Sequence, residues 1–198
     1  MRPAHALFLV MALAGASAPA LASTTVYMSA PTFLAQVAPG SYTQSFDGLD
    51  SSPPTSFAGN GFAYTISAPG GLYGSGEFIG TNFPDEALTI TFTSGNVTAV
   101  GGNFYAVNIS DAFQAVQIGV TLSDGTSVVF TPTSVSDSYV GFASTGTITS
   151  LVIGAPGVSL YAGMDNLTVG VSAVPEPASW ALMALGVAGL LVARRRAA

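Results

Sequence analysis

Leu88-Thr89-Ile90-Thr91-Phe92 alternates apolar and hydroxyl side chains without a break. A period of two places Leu88, Ile90 and Phe92 on one face and the threonines on the other, which predicts a half-buried antiparallel strand with a solvated outer face. Runs of the same kind recur outward from it. Strands are predicted over Thr24 to Met28, Tyr42 to Phe46, Gly61 to Ile66, Val97 to Val107, Ala115 to Leu122, Ser127 to Phe130, Tyr139 to Phe142, Ile148 to Ile153 and Leu160 to Val171. Asp124-Gly125 inside Leu122-Ser123-Asp124-Gly125-Thr126 predicts a hairpin with a type I′ turn, and Ser94-Gly95-Asn96 a second turn. One short helix is expected over Thr32 to Ala38, opened by Pro31 and stopped by Pro39-Gly40. About ten short strands separated by turn signals make an all-β fold, a two-sheet antiparallel β-sandwich of jelly-roll-like form. The Ser-, Pro- and Gly-rich segments 47–60 and 68–76 read as long loops, the usual place for binding sites on a sandwich.

The two ends of the 198-residue chain differ from this middle. Met1-Arg2-Pro3 is a short positive start, Ala6 to Ala16 an apolar core, and Ala20-Leu21-Ala22 a small-x-small cleavage site. Together they predict a signal peptide over 1–22 with the mature chain beginning at Ser23. At the other end Val174-Pro175-Glu176-Pro177 precedes an apolar stretch from Ala178 to Ala193 and then Arg194-Arg195-Arg196. As a helix, 178–193 spans roughly 24 Å against a hydrocarbon core of about 30 Å, and flanking residues and local thinning make up that difference. Pro175 and Pro177 force the helix to begin after them, and the arginines form a basic stop on the cytoplasmic side. The expected organisation is a signal peptide (1–22), a β-sandwich body (23–171) and a C-terminal segment (172–198) in which Ser172-Ala173 is a linker.

Composition bounds the body by exclusion. The four basic residues of the chain, Arg2 and Arg194 to Arg196, lie in the end segments, as do the sole histidine, His5, and the sole tryptophan, Trp180. The body is left with Asp47, Asp50, Glu77, Asp85, Glu86, Asp111, Asp124, Asp137 and Asp165 and no cation. Phosphate backbones need cationic partners, so nucleic-acid binding is excluded. Ser-His-Asp and Cys-His catalysis lack their imidazole, and zinc or copper sites lack thiol and imidazole ligands. No cysteine is present, so stability comes from packing or from a hard metal ion. Paired-carboxylate glycoside hydrolysis would need a fixed separation. Asp85 and Glu86 are adjacent and would point to opposite faces of a strand, while Glu77 has no defined mate. Gly74 to Gly80 is not a dinucleotide fingerprint. A non-enzymatic body is the expectation.

The tail resembles the PEP-CTERM sorting signal of Gram-negative bacteria through Pro175-Glu176-Pro177, the apolar stretch and the arginine cluster. The resemblance implies that the tail is recognised by an exosortase, a membrane-embedded transpeptidase-like enzyme, and removed near the motif. The chain would then be exported to the cell surface or extracellular space after transient anchoring in the inner membrane through a transmembrane helix. A plain C-terminal anchor is the alternative. The body is similar to PEP-CTERM passenger domains and to carbohydrate-binding jelly rolls. The residues that carry this likeness are Ser45-Phe46-Asp47-Gly48-Leu49, Gly141-Phe142, Ile148-Thr149-Ser150-Leu151 and Met164-Asp165-Asn166-Leu167-Thr168-Val169. That likeness implies a structural Ca²⁺ held by acids on neighbouring first and last strands, at Asp47 and Asp165. The competing account makes Asp47 a turn residue before Gly48 and Asp165 a side chain bonded to its local backbone. A sugar-binding role would use aromatic faces, and Tyr73, in the Gly-rich loop 70–76, is its candidate, against a structural role for the tyrosines. The functional expectation is a structural or adhesive component of the extracellular polysaccharide matrix, with a carbohydrate-binding module as the alternative.

Overall fold

The computed structural model describes residues 22–173, and 88–92 form a strand in it with the predicted burial alternation. Two antiparallel sheets face each other. The larger has eight strands: β1 (Thr24–Tyr27), β2 (Tyr42–Gln44), β5 (Leu72–Gly74), β6 (Ile79–Thr81), β8 (Ala99–Val107), β9 (Phe113–Gln114), β12 (Tyr139–Ser144) and β14 (Tyr161–Gly170). The smaller has six: β3 (Ser56–Gly59), β4 (Phe62–Ser67), β7 (Leu88–Phe92), β10 (Ile118–Leu122), β11 (Ser127–Phe130) and β13 (Ser150–Ile153), in the order β11-β10-β13-β7-β4-β3. A single short helix, α1 (Ala30–Leu34), packs on the larger sheet. The signal peptide and the apolar helix 178–193 lie outside the described residues. Among the described residues no helix is long and apolar enough to cross a membrane.

The inward faces of both sheets supply one core. Ile66, Leu88, Ile90, Ile118, Val120, Leu151 and Ile153 from the smaller sheet meet Ile79, Val100, Phe104, Phe142, Met164 and Val169 from the larger. Each is removed from water, and a side chain of this size stabilises by about 1.5–3 kcal/mol when fully buried. The outward face of the smaller sheet carries Thr65, Thr89, Thr91, Thr121 and Ser127, with Val129 exposed among them. The larger sheet differs, because β8 is buried along its whole length. Its outer side carries two extra apolar clusters. Phe33 of α1 packs with Ala99 and Tyr139 on one part, and Phe78, Tyr105 and Val107 pack together on another.

The first of these clusters explains two glycines. Gly101 and Gly141 are cross-strand partners on β8 and β12. A Cβ on Gly141 would lie 2.4 Å from the Phe33 ring, and one on Gly101 would lie 2.7 Å from the Tyr139 hydroxyl and 2.9 Å from Phe33. Their bareness lets the phenyl ring reach the sheet.

Several local expectations are corrected. The helix runs Ala30–Leu34, not Thr32 to Ala38. Pro31 does start it, but residues beyond Leu34 are claimed by a strand-like pairing with the end of the body. Val37 bridges Ser172, the Ala38 amide donates to the Val171 carbonyl at 2.8 Å, and the Ala173 amide donates to Gln36 at 2.7 Å. Ser172 and Ala173, expected as a linker, are therefore tied to the body. The hairpin at Asp124-Gly125 is not type I′, since Gly125 has φ +86° while Asp124 is not in the left-handed region. Gly125 N–H donates to the Leu122 carbonyl and Leu122 N–H to that of Thr126, a three-residue loop with the glycine as its bulge. Strands β3 and β5 fall inside the segments expected to be loops, and β6 and β9 were not expected at all.

Candidate functional site

Residues on the outer face of the larger sheet follow from the pleat. Along β8 the odd positions from Ala99 to Val107 point outward, and on β14 their cross-strand partners Asp165, Gly163 and Tyr161 do the same. Asp165 sits opposite Asn103, just before an irregularity that shifts the β14 register. Asn166, with φ +51°, makes that irregularity. Its amide N–H and its side-chain Nδ2 both donate to the Asp165 carboxylate at 2.7 Å. Asn103 is buried and donates through Nδ2 to the Val135 carbonyl at 2.8 Å.

Asp47 and Asp165, implied as calcium ligands by the family likeness, lie on neighbouring parts of the fold. β2 pairs with β14, so the turn that follows β2 comes beside the last strand. The Gly48 amide donates to the Gly76 carbonyl at 2.9 Å, which brings the turn between β5 and β6 alongside. Burial pushes the Asp165 carboxyl up to about 6 from 3.8. The Asn166 hydrogen bond opposes that rise, and the charges of Asp47 and Glu77 add to it. Glu77 is the acid that sequence reasoning did not connect to this place, because no spacing rule relates residues 47, 77 and 165. Yet no group of three or more Asp, Glu, His or Cys side chains among the described residues has the geometry to hold a metal ion.

Tyr73 lies elsewhere on the same face. Its hydroxyl donates to the Asp111 carboxylate at 3.0 Å, and that bond holds the phenol proton more tightly than usual. The two residues border a cleft of about 180 Å³ shared with Phe78, Asn82, Asn108 and Tyr161. Behind it, Phe78 meets Tyr105 edge-on with ring centroids 5.8 Å apart. Asp111, Asn82 and Tyr161 carried no motif, and only folding brings them to Tyr73.

Asp85 and Glu86 are not on a strand. Asp85, at φ +58°, accepts the Ser159 amide at 3.0 Å, and Glu86 accepts the Gly70 amide at 2.9 Å. Each carboxylate fastens one loop. At the chain's entry, the Ser23 amide donates to Thr145 Oγ1 at 2.9 Å and the Thr145 amide to the Ser23 carbonyl at 3.0 Å. These bonds tie Ser23, the expected first residue of the mature chain, to the body. Ala22 beside it is exposed. Ala20, the motif Val174-Pro175-Glu176-Pro177 and the stop Arg194-Arg195-Arg196 lie outside the described residues.

The molecule so defined is an all-β body, described as far as Ala173, followed in sequence by a C-terminal signal. That signal is a PEP-CTERM protein-sorting motif, whose family model matches residues 173–196. The motif implies export, transient anchoring through the C-terminal region and processing by an exosortase. No curated protein and no solved structure matches the chain.

Proposed function

We propose that this chain is an exported, exosortase-processed surface protein whose body is a non-catalytic structural or adhesive component of the extracellular polysaccharide matrix. The observation that carries the proposal is the sorting motif matched over 173–196. The signal peptide over 1–22, the apolar helix and the arginine stop are parts of the same proposal, as is a Gram-negative envelope. The composition of the body supports it too. A cation-free domain has no electrostatic attraction for nucleic acid or anionic lipid, and its solvated sheet face is rich in hydroxyls. The jelly-roll-like description of the body rests on two antiparallel sheets between which the chain repeatedly crosses.

Intact mass of the protein recovered from envelope and medium tests the sorting reading. A C-terminus near Pro175-Glu176-Pro177, with the arginines gone, is expected. A mass retaining everything to Ala198, found only in membranes, would leave a plain anchor and sink the exosortase role.

A carbohydrate-binding module with a structural Ca²⁺ is the second reading, favoured by the electrostatic coupling of Asp47 and Glu77 to Asp165. Carboxylate oxygens are the right donors for calcium. Their present arrangement does not converge on one coordination sphere, so ion binding would need the turns carrying Asp47 and Glu77 to close on β14. A melting temperature that rises with calcium and falls with chelator is the expected result. Indifference to both removes the ion.

A further inference from the structure

The cleft beside Tyr73 has a composition that matches one chemical class. Tyr73 and Tyr161 line it with half-exposed rings beside the buried Phe78, and Asn82, Asn108 and Asp111 supply amides and a carboxylate. The Asn108 side-chain carbonyl is occupied by the amides of Ser110 and Ala112, at 2.9 and 3.1 Å. That shapes the loop and leaves the Asn108 NH₂ as a donor. Among the described residues the Asn82 NH₂ makes one hydrogen bond, a long one of 3.5 Å to the Gly70 carbonyl. Asp111 uses one oxygen on Tyr73 and keeps the other as an acceptor. Donors and acceptors beside apolar ring faces suit a molecule with a C–H face and a hydroxylated edge, which describes a pyranose.

Size and charge narrow the class. At about 180 Å³ the cleft is smaller than the roughly 300–1,000 Å³ of sites that enclose a drug-sized ligand. It suits a single ring. No Lys, Arg or His lies among the described residues, and a carboxylate stands in the cleft itself. An acidic sugar would meet repulsion with no cation to offset it.

The surroundings give independent support. Of the seven non-glycine residues in the left-handed region among the described residues, four (Asp85, Asp111, Val158 and Ser159) lie in the loops at this end, and Phe46, Asn60 and Asn166 lie elsewhere. For a β-branched residue such as Val158, at φ +52°, that conformation is a true outlier. Strain of this kind persists where surrounding structure enforces it, and it clusters at binding sites. The same loops expose Ile109 and Val158, at 81% and 79%, and Val158 lies three residues before Tyr161. Position along β14 agrees. Tyr161 begins that strand and Gly170 ends it, so the cleft stands roughly 30 Å from the end where the sorting tail departs. Ser23, bonded to Thr145, enters at the tail end as well. The cleft is at the pole facing away from any tail-side attachment.

We propose that the cleft formed by Tyr73, Phe78, Asn82, Asn108, Asp111 and Tyr161 binds one ring of a neutral hexose within a polysaccharide chain. This rests on the matrix-component reading of the body. Affinity electrophoresis of the protein recovered from its host, through gels containing soluble β-glucan, galactomannan, xylan or alginate, tests it. Retardation by at least one neutral polysaccharide and none by alginate is expected. Tyr73→Ala and Asp111→Asn should each weaken binding roughly tenfold, while Met28→Ala, exposed beside α1, leaves it unchanged. Asp111→Asn keeps the loop's shape, and unchanged melting temperatures separate binding loss from misfolding. Retardation that survives both cleft variants overturns the cleft assignment and leaves the adhesive reading standing. No retardation by any of the four polysaccharides overturns both. Retardation by alginate alone overturns the neutral-sugar assignment.

Discussion

Replacing Asp165 with asparagine should remove a loss of stability that the body suffers as pH rises through roughly 4 to 6. The folded state holds this carboxyl's proton up to about pH 6, because burial and the charges of Asp47 and Glu77 disfavour its ionised form, whereas its ordinary value is 3.8. Between those two values the folded protein binds more proton than the unfolded chain. Stability therefore falls as pH rises through roughly 4 to 6 and stays low above. At 1.36 kcal/mol per pH unit the gap corresponds to about 3 kcal/mol. Asp165 is only half-buried, and solvent screening reduces this to about 1–1.5 kcal/mol. Asparagine removes the charge and keeps a carbonyl for the Asn166 amide, but it forfeits the bond from Asn166 Nδ2 to the second oxygen, so the charge effect is read from the difference in pH dependence between the two proteins. For a body of this size that difference is about 3–5 °C in Tm between the two ends of the profile. Thermal unfolding from pH 3.5 to 8 in chelator, for both proteins, reads it directly. The wild type should lose stability across the window, and the variant should not. Parallel profiles would show that burial and the charges of Asp47 and Glu77 do not raise the Asp165 carboxyl. Adding calcium gives a further discrimination, since a bound cation would favour the ionised carboxylate and flatten the wild-type curve.

Phe33→Ala should cost about 3–5 kcal/mol, because this ring is fully buried and fixes α1 to the sheet. Gly141→Ala should cost about 1–3 kcal/mol by forcing the same ring outward, and denaturant midpoints at constant m-value check both. Raising ionic strength should increase Tm, since the body's charges are of one sign and salt screens their repulsion; a fall in Tm with salt would indicate an attraction not accounted for by these residues. Trypsin should leave 23–173 uncut even after denaturation, because it contains no Lys or Arg, and mass spectrometry of the digest shows whether any fragment lies within it.

The fold was legible where one strand carried its own signal. Leu88 to Phe92 and Ser127 to Phe130 coincide with β7 and β11, because their side chains declare a face without reference to anything distant. β3, β5, β6 and β9 were hidden for the opposite reason. They are two to four residues long, and their pairing depends on the strand beside them, as when Gly80 finds Gly163. The helix boundary failed because Val37 does better in a bridge to Ser172, a choice invisible to local propensity. The candidate sites divide in the same way. Asp47 and Asp165 are linked through a family likeness, and the pairing of β2 with β14 brings the turn that carries Asp47 beside the strand that carries Asp165. Tyr73 was chosen for its Gly-rich loop, but the Asp111, Asn82 and Tyr161 that give it chemical company come from three other segments.

The placement of β14 has a mechanical consequence. A protein held at Ala173 and loaded through a ligand near Tyr161 would be pulled along this strand's own length. β14 is paired with β8 over eight positions and flanked by β2 and β6 on its other side. Force in that direction acts in shear, so the bonds of the ladder must yield together instead of peeling one after another. The short pairing of 171–173 with 36–38 would give way first, lengthening the tether while the sandwich stays closed.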